Sequence, residues 1–237
     1  MVESHIEPLP HANHHTERIL YMKFPIFASV IVFCIWLAYE IRKHAKKDKK
    51  IMDSFWEKEN KANKTRAKSL DDLNYIQIPD WVYDSVPSPT PAVLEDCSKL
   101  LQHLKESKIV NLSHITNTDL KLKYGASNLD TLSEYDQNYI TLLRVLQTLC
   151  EYHEEKGDLQ KTRRLLEFAV EIQSDNISTY KMLARIYCDS GEEAKLDYLI
   201  SAASLLPGLT QKPILRFLKS LRTEDTNPEE SILDILD

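Results

Sequence analysis

The chain is poor in glycine: Gly125, Gly157, Gly191 and Gly208 are the only four among 237 residues. A loop that cradles phosphate needs clustered glycines, because its backbone N–H groups must come close to the anion. Glycines this far apart exclude a P-loop and a dinucleotide-binding fingerprint. The sequence also lacks a G-x-S-x-G nucleophile elbow and an H-E-x-x-H zinc helix. We therefore expect no catalytic site, no cofactor and no enzymatic activity.

Cysteine is also scarce, and none of the four cysteines forms a C-x-x-C pair. Cys34 lies in an apolar segment, and Cys97, Cys150 and Cys188 are widely spaced. This spacing predicts buried free thiols in a reducing compartment rather than a disulfide framework. His11, His14 and His15 lie close together, but no cysteine and no evident fourth ligand accompany them, so we predict no metal site.

Charge is unevenly distributed along the chain. The net charge is -6. Residues 42–68 contain 11 basic and 4 acidic residues, whereas residues 69–237 contain 17 basic and 28 acidic residues. Such block asymmetry indicates separate parts with separate surroundings.

An apolar segment precedes the basic block. No charged residue occurs from Phe24 to Tyr39, and about 18 helical residues rise about 27 Å, close to the thickness of a bilayer core. A cleaved signal peptide would begin with basic residues and end in small ones, whereas this segment follows an acidic, His-rich start and ends at Arg42. A soluble core helix is rarely apolar all round. We predict a transmembrane helix over 23–41.

The basic residues after this segment predict its orientation. The positive-inside rule places the C-terminal side in the cytoplasm of a cell membrane and the tail 1–22 outside, with an organelle outer membrane as the alternative location. The segment 42–68 would either lie against anionic lipid or pack on the following domain. The predicted membrane-surface residues are Arg42, Lys43, Lys46, Lys47, Lys49, Lys50, Phe55 and Trp56.

Residues 69–134 read as a linker and capping region. Ser69 followed by Asp72 resembles a capping box, and four prolines between 79 and 91 indicate a stiff loop. Thr90-Pro91 predicts the start of a helix at 91–106. Residues 107–134 give no clear element, although 109–112 reads as a short strand or a buried extended segment. An unfamiliar enzyme site in 107–134 is the less favoured alternative for this region.

The pattern of residues 135–222 returns when the chain is shifted by 34. Leu146, Leu149, Cys150 and His153 correspond to Tyr180, Leu183, Ala184 and Tyr187, and Gly157 corresponds to Gly191. A further shift gives Ile214, Phe217, Leu218 and Leu221. The apolar spacing predicts pairs of antiparallel helices, and the two glycines predict the end of the first helix in each pair.

This pattern resembles the tetratricopeptide repeat family, whose period is 34. The best match is Tyr180-x-x-Leu183-Ala184-x-x-Tyr187, with Gly191 at the turn and Ala203 beyond it. Thr162, Leu196 and His153 depart from the family pattern. The resemblance implies a tetratricopeptide-like helical-hairpin repeat domain, with an irregular helical bundle of similar pattern as the alternative, and it says little about function. Together with the single transmembrane helix predicted above, this gives an all-α fold.

Members of that family usually bind an extended peptide in a groove lined by the first helices. The resemblance therefore implies a groove that is acidic toward one end and basic toward the other. The basic end could receive carboxylates, or the face could simply be solvated. The groove residues are Arg144, Gln147, Glu151, Lys181, Arg185, Lys212, Lys219 and Arg222.

The acidic C-terminal tail, 223–237, offers one occupant for that groove, and a frayed end is the alternative. We expect a membrane-tethered protein–protein interaction module, an adaptor or scaffold. Its partners would be the lipid bilayer and an unidentified protein or peptide, not nucleic acid. The alternative is a structural subunit of a larger membrane complex, which a large exposed apolar patch on the helical domain would favour.

Overall fold

The computed structural model describes the backbone of residues 14–223 and the side chains of residues 27–222. The chain divides into two compact units, Met1–Asn60 and Lys61–Asp237. The described part is all-α, as predicted, and its only β pairing is an isolated antiparallel bridge between Tyr75 and Val110. Its α-helices are α1 His14–Asn63, α2 Asp80–Asp84, α3 Glu95–Glu106, α4 Asn117–Tyr124, α5 Leu129–Glu155, α6 Leu159–Glu171, α7 Ile177–Asp189, α8 Ala194–Ser204 and α9 Gln211–Thr223.

Helix α1 is one continuous helix of 50 residues, about 75 Å long. It runs without a break through the predicted span and through most of the predicted juxtamembrane segment. Among the described residues, no helix contains a stretch long and apolar enough to cross a membrane. The described part of α1 therefore does not support the transmembrane helix predicted over 23–41.

The second unit begins with a small core around the chain entry. Ala62 is fully buried, and Leu73, Val110, Leu112, Leu120, Tyr124 and Leu132 pack in one cluster. Gly125, at φ 99°, lies against the backbone of Arg66, where a Cβ atom would come within 2.4 Å of the carbonyl oxygen. Only glycine fits this crossing, which helps to join the entry segment to α4.

Two predictions about this region are wrong at the level of single residues. The Ser69 hydroxyl receives the N–H of Asp71 at 3.1 Å and donates to the Asp71 carboxylate. This local turn uses the hydroxyl that a helix N-cap would need, and no helix follows. Pro91, not Thr90, is the N-cap of a short 3-10 turn, Ala92–Leu94, which leads into α3.

Helix α2 is flanked by an extended segment and a loop, and each is attached to the rest of the second unit by a hydrogen bond. The Ile76 N–H donates to the Ile109 carbonyl at 2.9 Å, so 109–112 is an extended segment, one of the two predicted forms. In the following loop, the buried His153 lies 2.8 Å from the Ser85 carbonyl oxygen through its Nε2. This contact attaches the proline-rich loop to α5.

Helices α5 to α9 form successive antiparallel pairs. The Tyr139 hydroxyl donates to the carbonyls of Ile172 and Gln173, at 3.2 and 3.0 Å, near the end of α6. Farther along α5, Cys150 lies 3.9 Å from the Thr162 carbonyl near the start of α6. The two helices therefore run in opposite directions. At the other end of the array, Arg222 and Asp197 join the end of α9 to the start of α8.

Helix bounds in this array follow the predicted shift. Helix α7 spans Ile177–Asp189 and α9 spans Gln211–Thr223, so both ends are displaced by 34 residues. Helix α5 begins at Leu129, six residues before the predicted domain boundary at 135. The first helix of this pair is therefore longer than predicted. The predicted apolar stripe is confirmed: Leu149, Cys150, Tyr180, Leu183 and Ala184 are fully buried.

Three of these helices end in the same way. After α5, the Asp158 N–H bonds to the His153 carbonyl and Gly157 has φ 74°. After α7, Gly191 has φ 67° in the same arrangement, a Schellman motif, so both predicted glycine stops are confirmed. After α6 the equivalent position is Gln173, the one non-glycine residue with positive φ in the described part, at 63°.

Candidate functional site

The candidate site is the predicted groove on α5, α7 and α9. Gln147 is half-buried, and the other predicted groove residues are exposed. Lys181 and Arg185 are four residues apart on α7 and therefore share one face of that helix. Arg144, Gln147 and Glu151 share a face of α5, since they follow one another at three and then four residues.

Gln147 joins α5 to the neighbouring pair. Its amide nitrogen donates to Glu151 at 2.8 Å and lies 3.9 Å from the Met182 sulfur on α7. Its amide oxygen receives the side-chain N–H of Asn176, the N-cap of α7, at 3.5 Å. These contacts place Gln147 and Glu151 at the seam between the first and second helix pairs, with Gln147 already engaged.

The basic side chains differ in how they are partnered. Arg185 approaches a carboxylate only at 3.9 Å, on Glu154, and both side chains are largely exposed. Lys181 lies 5.4 Å above the ring of Phe217 on α9. Within the described residues, neither Arg144 nor Lys212 forms an ion pair. Charge on this face is therefore available to an incoming anion, since weakly paired exposed cations lose little when they change partner.

Arg222 faces a different neighbour. Its guanidinium donates to Asp197 on α8 at 2.6 Å. Both residues line a cleft of about 490 Å³ together with Cys188, Glu193, Ala194, Leu196 and Leu221. Arg222 is thus engaged with α8, whereas Lys181 and Arg185 have Phe217 and Glu154 as their neighbours.

The predicted membrane-surface residues lie on α1 and are all exposed. The rings of Phe55 and Trp56 contact each other edge-to-face at 5.4 Å, and Lys43 bonds to Glu40 at 3.2 Å. Phe55 follows Arg42 by 13 residues on the same helix, which is about 20 Å along the axis. The two aromatic rings and the first basic residues therefore lie at different heights along one helix.

An ion-pair network links α6, α7 and α8, and sequence analysis missed it. Arg163 donates to both carboxylate oxygens of Glu192, with Nη2–Oε2 at 3.1 Å, and its Nε donates to Glu167 at 2.9 Å. Tyr187 donates to the same Glu167 oxygen at 2.9 Å, and Lys195 also pairs with Glu192. Only the spacing of Arg163 and Glu167 was visible in the sequence. The network holds the turn between α7 and α8 against α6.

Stability should fall at acid pH through this network. Hydrogen bonds from Arg163 and then Lys195 lower the pKa of Glu192 to about 2 from its usual 4.5. A depressed carboxyl pKa stabilises the fold above the unfolded-state pKa, and that contribution is lost as pH falls from about 4.5 toward about 2. We expect hydrogen-exchange protection in α7 and α8 to decline across this window.

The Glu192→Gln variant serves as the control for this pH dependence. Asp158, the N-cap of α6, also has a lowered pKa, chiefly because it accepts the Lys161 backbone N–H. Both proteins share that contribution, so their difference isolates Glu192. The protection gap between wild type and variant should narrow toward pH 2, and a gap that stays constant with pH would contradict the assignment.

The remaining predicted chemistry is sparse. Cys97 and Cys150 are buried free thiols, as predicted, and burial raises the pKa of Cys150 to about 12, so its thiol is unreactive. Cys34 on α1 and Cys188 near the end of α7 are exposed, against the prediction. The described residues contain no group of three His, Cys, Asp or Glu side chains placed to hold a metal ion. His11 lies outside the described backbone, and the side chains of His14 and His15 are outside the described set.

Segment 107–134, the alternative enzyme site, contributes buried residues to the small core at the start of the second unit. Leu112, Leu120 and Tyr124 are buried in the entry core. Comparisons of the whole chain with protein-family models, with curated proteins and with solved structures find no match.

Proposed function

We propose that this protein is a membrane-tethered interaction module without catalytic activity, whose helical pairs bind an acidic segment of a partner protein. The observation that carries the proposal is the exposed, weakly paired basic face formed by Lys181 and Arg185 on α7. Carboxylates are the natural partners of such a face, since charge-assisted hydrogen bonds are about twice as strong as neutral ones. The C-terminal tail, proposed from the sequence as one occupant, lies outside the described residues from 224 onward.

The array itself supports this proposal. Helices that repeat at 34 residues, with Schellman stops after α5 and α7, are what the resemblance to tetratricopeptide repeats implies. Stacked helix pairs of this kind place their first helices side by side. Contacts of α7 with α9, and of Gln147 on α5 with Met182 on α7, fit that arrangement. We propose a short tetratricopeptide-like stack on this basis.

The membrane tether is supported by exposure along α1. Val30, Ile31, Val32 and Phe33 are consecutive and expose 52, 48, 66 and 56% of their surface. Four consecutive residues cover a full helical turn, so apolar surface is open to the surroundings on every side. The span predicted from the sequence also includes residues 23–26, whose side chains are outside the described set. A lipid core solvates such a surface, and the basic residues from Arg42 onward favour the cytoplasmic side.

A second candidate is a structural subunit of a larger membrane complex. Tyr198 on α8 is 51% exposed, Leu205 directly after that helix is 74% exposed, and Leu209 beyond it is 95% exposed. Exposed apolar residues on one side of a helical domain favour protein contact. This face is distinct from the basic face on α7, so the two candidates involve different surfaces.

Site-specific cross-linking in native membranes tests both candidates. A photoreactive benzophenone amino acid at Lys212 should give a discrete adduct with a partner protein. The charge-reversal pair Lys181→Glu and Arg185→Glu should abolish that adduct, because an acidic segment would then be repelled. The matched pair Lys64→Glu and Lys99→Glu changes net charge equally at exposed positions elsewhere and should preserve it.

The outcomes separate the two candidates. An adduct from Lys212 that survives the groove reversal, or no adduct from that position, contradicts groove binding. A benzophenone at Leu209 that gives an adduct insensitive to the groove reversal supports the structural-subunit candidate instead.

A further inference from the structure

A polar cleft lies on the second unit, and no residue of α7 lines it. Its volume is about 320 Å³, and its walls are the extended segment 74–77, Asn111, and the end of α6 with Phe168, Glu171, Ile172 and Gln173. The hydrogen bond from Ile76 to Ile109 holds the first wall. The two hydrogen bonds from Tyr139 to the carbonyls of Ile172 and Gln173 hold the other. Both walls are therefore fixed by the fold before any ligand arrives.

Carboxamides dominate the chemistry of this cleft. Asn74, Gln77, Asn111 and Gln173 contribute one each, and Glu171 contributes the only charge. Within the described residues, the side chains of Asn74, Gln77 and Gln173 make no hydrogen bond. Asn111 uses only its oxygen, which receives the Ser113 N–H at 3.3 Å. A carboxamide presents a donor and an acceptor side by side, which matches the N–H and C=O groups of a main chain.

Gln173 stands in this cleft at a conformational cost. It occupies the left-handed position that ends α6, where the corresponding positions after α5 and α7 are Gly157 and Gly191. Glycine adopts this conformation freely, whereas a residue with a Cβ is strained there. Glycine would fit this backbone without strain, so the presence of glutamine indicates that the Gln173 side chain has a role in the cleft.

The rings of the cleft are already packed against other groups. Tyr75 contacts Tyr135 at 5.9 Å between ring centroids and has the Lys108 ammonium 5.3 Å from its own centroid. Phe168 contacts Trp81 edge-to-face at 6.0 Å. A sugar ring binds by stacking on an open aromatic face, and these rings are already in contact with other groups. A ligand that forms hydrogen bonds with the carboxamides is therefore favoured over a sugar. In the described part, the backbone N–H of Gln77 also donates to no other group.

We propose that this cleft binds an extended peptide segment of a partner protein through its main chain, with Asn74, Gln77 and Gln173 as the pairing side chains. Glu171 at the rim favours a segment that carries a basic residue. The cleft carries an acidic residue and would favour a basic segment, whereas the groove is basic and would favour an acidic one. The cleft is therefore a second and independent site. It does not depend on the groove binding anything.

The test is selection of random peptides displayed on phage against the full-length protein, followed by calorimetry with a synthetic copy of the selected peptide. Asn74→Ala with Gln77→Ala should raise the Kd by about tenfold or more, because lost hydrogen bonds are not replaced. Gln173→Gly should also raise the Kd while it raises the melting temperature of the second unit. Lys181→Ala with Arg185→Ala, in the groove, should leave the Kd unchanged.

Each other result overturns the proposal. Selection that yields no peptide, or a peptide whose affinity survives the cleft substitutions, removes the cleft as a peptide site. If the Gln173→Gly protein is more stable and binds the peptide equally well, Gln173 is only a strained helix end and takes no part in peptide binding. Binding of a β-1,4-linked N-acetylglucosamine oligomer with the same dependence on Asn74 and Gln77 would make the cleft a carbohydrate site instead.

Discussion

Replacing Ile31 and Ile35 by lysine (I31K/I35K) should move the full-length protein out of the carbonate-resistant membrane fraction. Both side chains are exposed on α1, at 48 and 65%, and both lie well inside the apolar run. A lysine at the centre of a membrane helix costs about 3 kcal/mol, so two cost about 6 kcal/mol. In the proposed tether one helix provides the whole membrane attachment, so nothing in that arrangement offsets the loss. Alkaline carbonate extraction followed by immunoblotting measures the distribution between pellet and supernatant.

The control for this experiment is Ile51→Lys. Ile51 is 57% exposed on the same helix but follows the first basic residues, so lysine there should leave the protein in the pellet. Wild-type protein that is itself released by carbonate would contradict the tether. Retention of the double-lysine variant in the pellet would show that the apolar run does not hold the protein there.

The termini and faces of the helical pairs could be predicted because their causes are local. Gly157 and Gly191 end their helices through a backbone conformation that glycine adopts freely. Buried positions such as Leu149 and Leu183 follow from spacing on one helical face. The same shift of 34 carries through to α9.

The start of the second unit could not be predicted for a different reason. Helix α4 has almost no amphipathic pattern, and its N-cap Thr116, which receives the Asp119 N–H at 3.2 Å, lies in a segment rich in other turn formers. Ser69 shows the converse error, because its hydroxyl completes a local turn with Asp71 instead of a helix cap. Polar side chains near turns have several local partners, and only the tertiary structure selects among them.

In the candidate site, too, local features could be predicted and contacts between helices could not. Exposure of Lys181 and Arg185 follows from the helical register, whereas the pairing of Arg222 with Asp197 depends on how α9 crosses α8. Pairing of Arg163 with Glu192 likewise joins residues 29 apart. Gln173 was missed because a left-handed helix end was expected only at glycine. Contacts between helices therefore account for most of what the sequence did not reveal about the site.

Replacing Leu165 by alanine should destabilise the second unit by about 2–5 kcal/mol, through lost apolar burial and the cavity that remains. Leu165 is fully buried on α6, the helix that contacts α5, α7 and α8. In a unit of this size each kcal/mol lowers the melting temperature by roughly 2–4 °C. Calorimetry of the full-length protein measures the shift.

Leu159→Ala is the matched control, on the same helix and with the same atoms removed. Leu159 is 53% exposed at the first position of α6, so its truncation should change stability by no more than about 0.5 kcal/mol. Helix α6 contacts both α5 and α7, so the effect of a cavity at Leu165 should reach the groove. We expect Leu165→Ala to increase hydrogen exchange in α7, around Lys181 and Arg185, as well as in α6. Faster exchange confined to α6 would mean that the helix pairs are stable independently of one another, and that the basic face does not depend on their stacking.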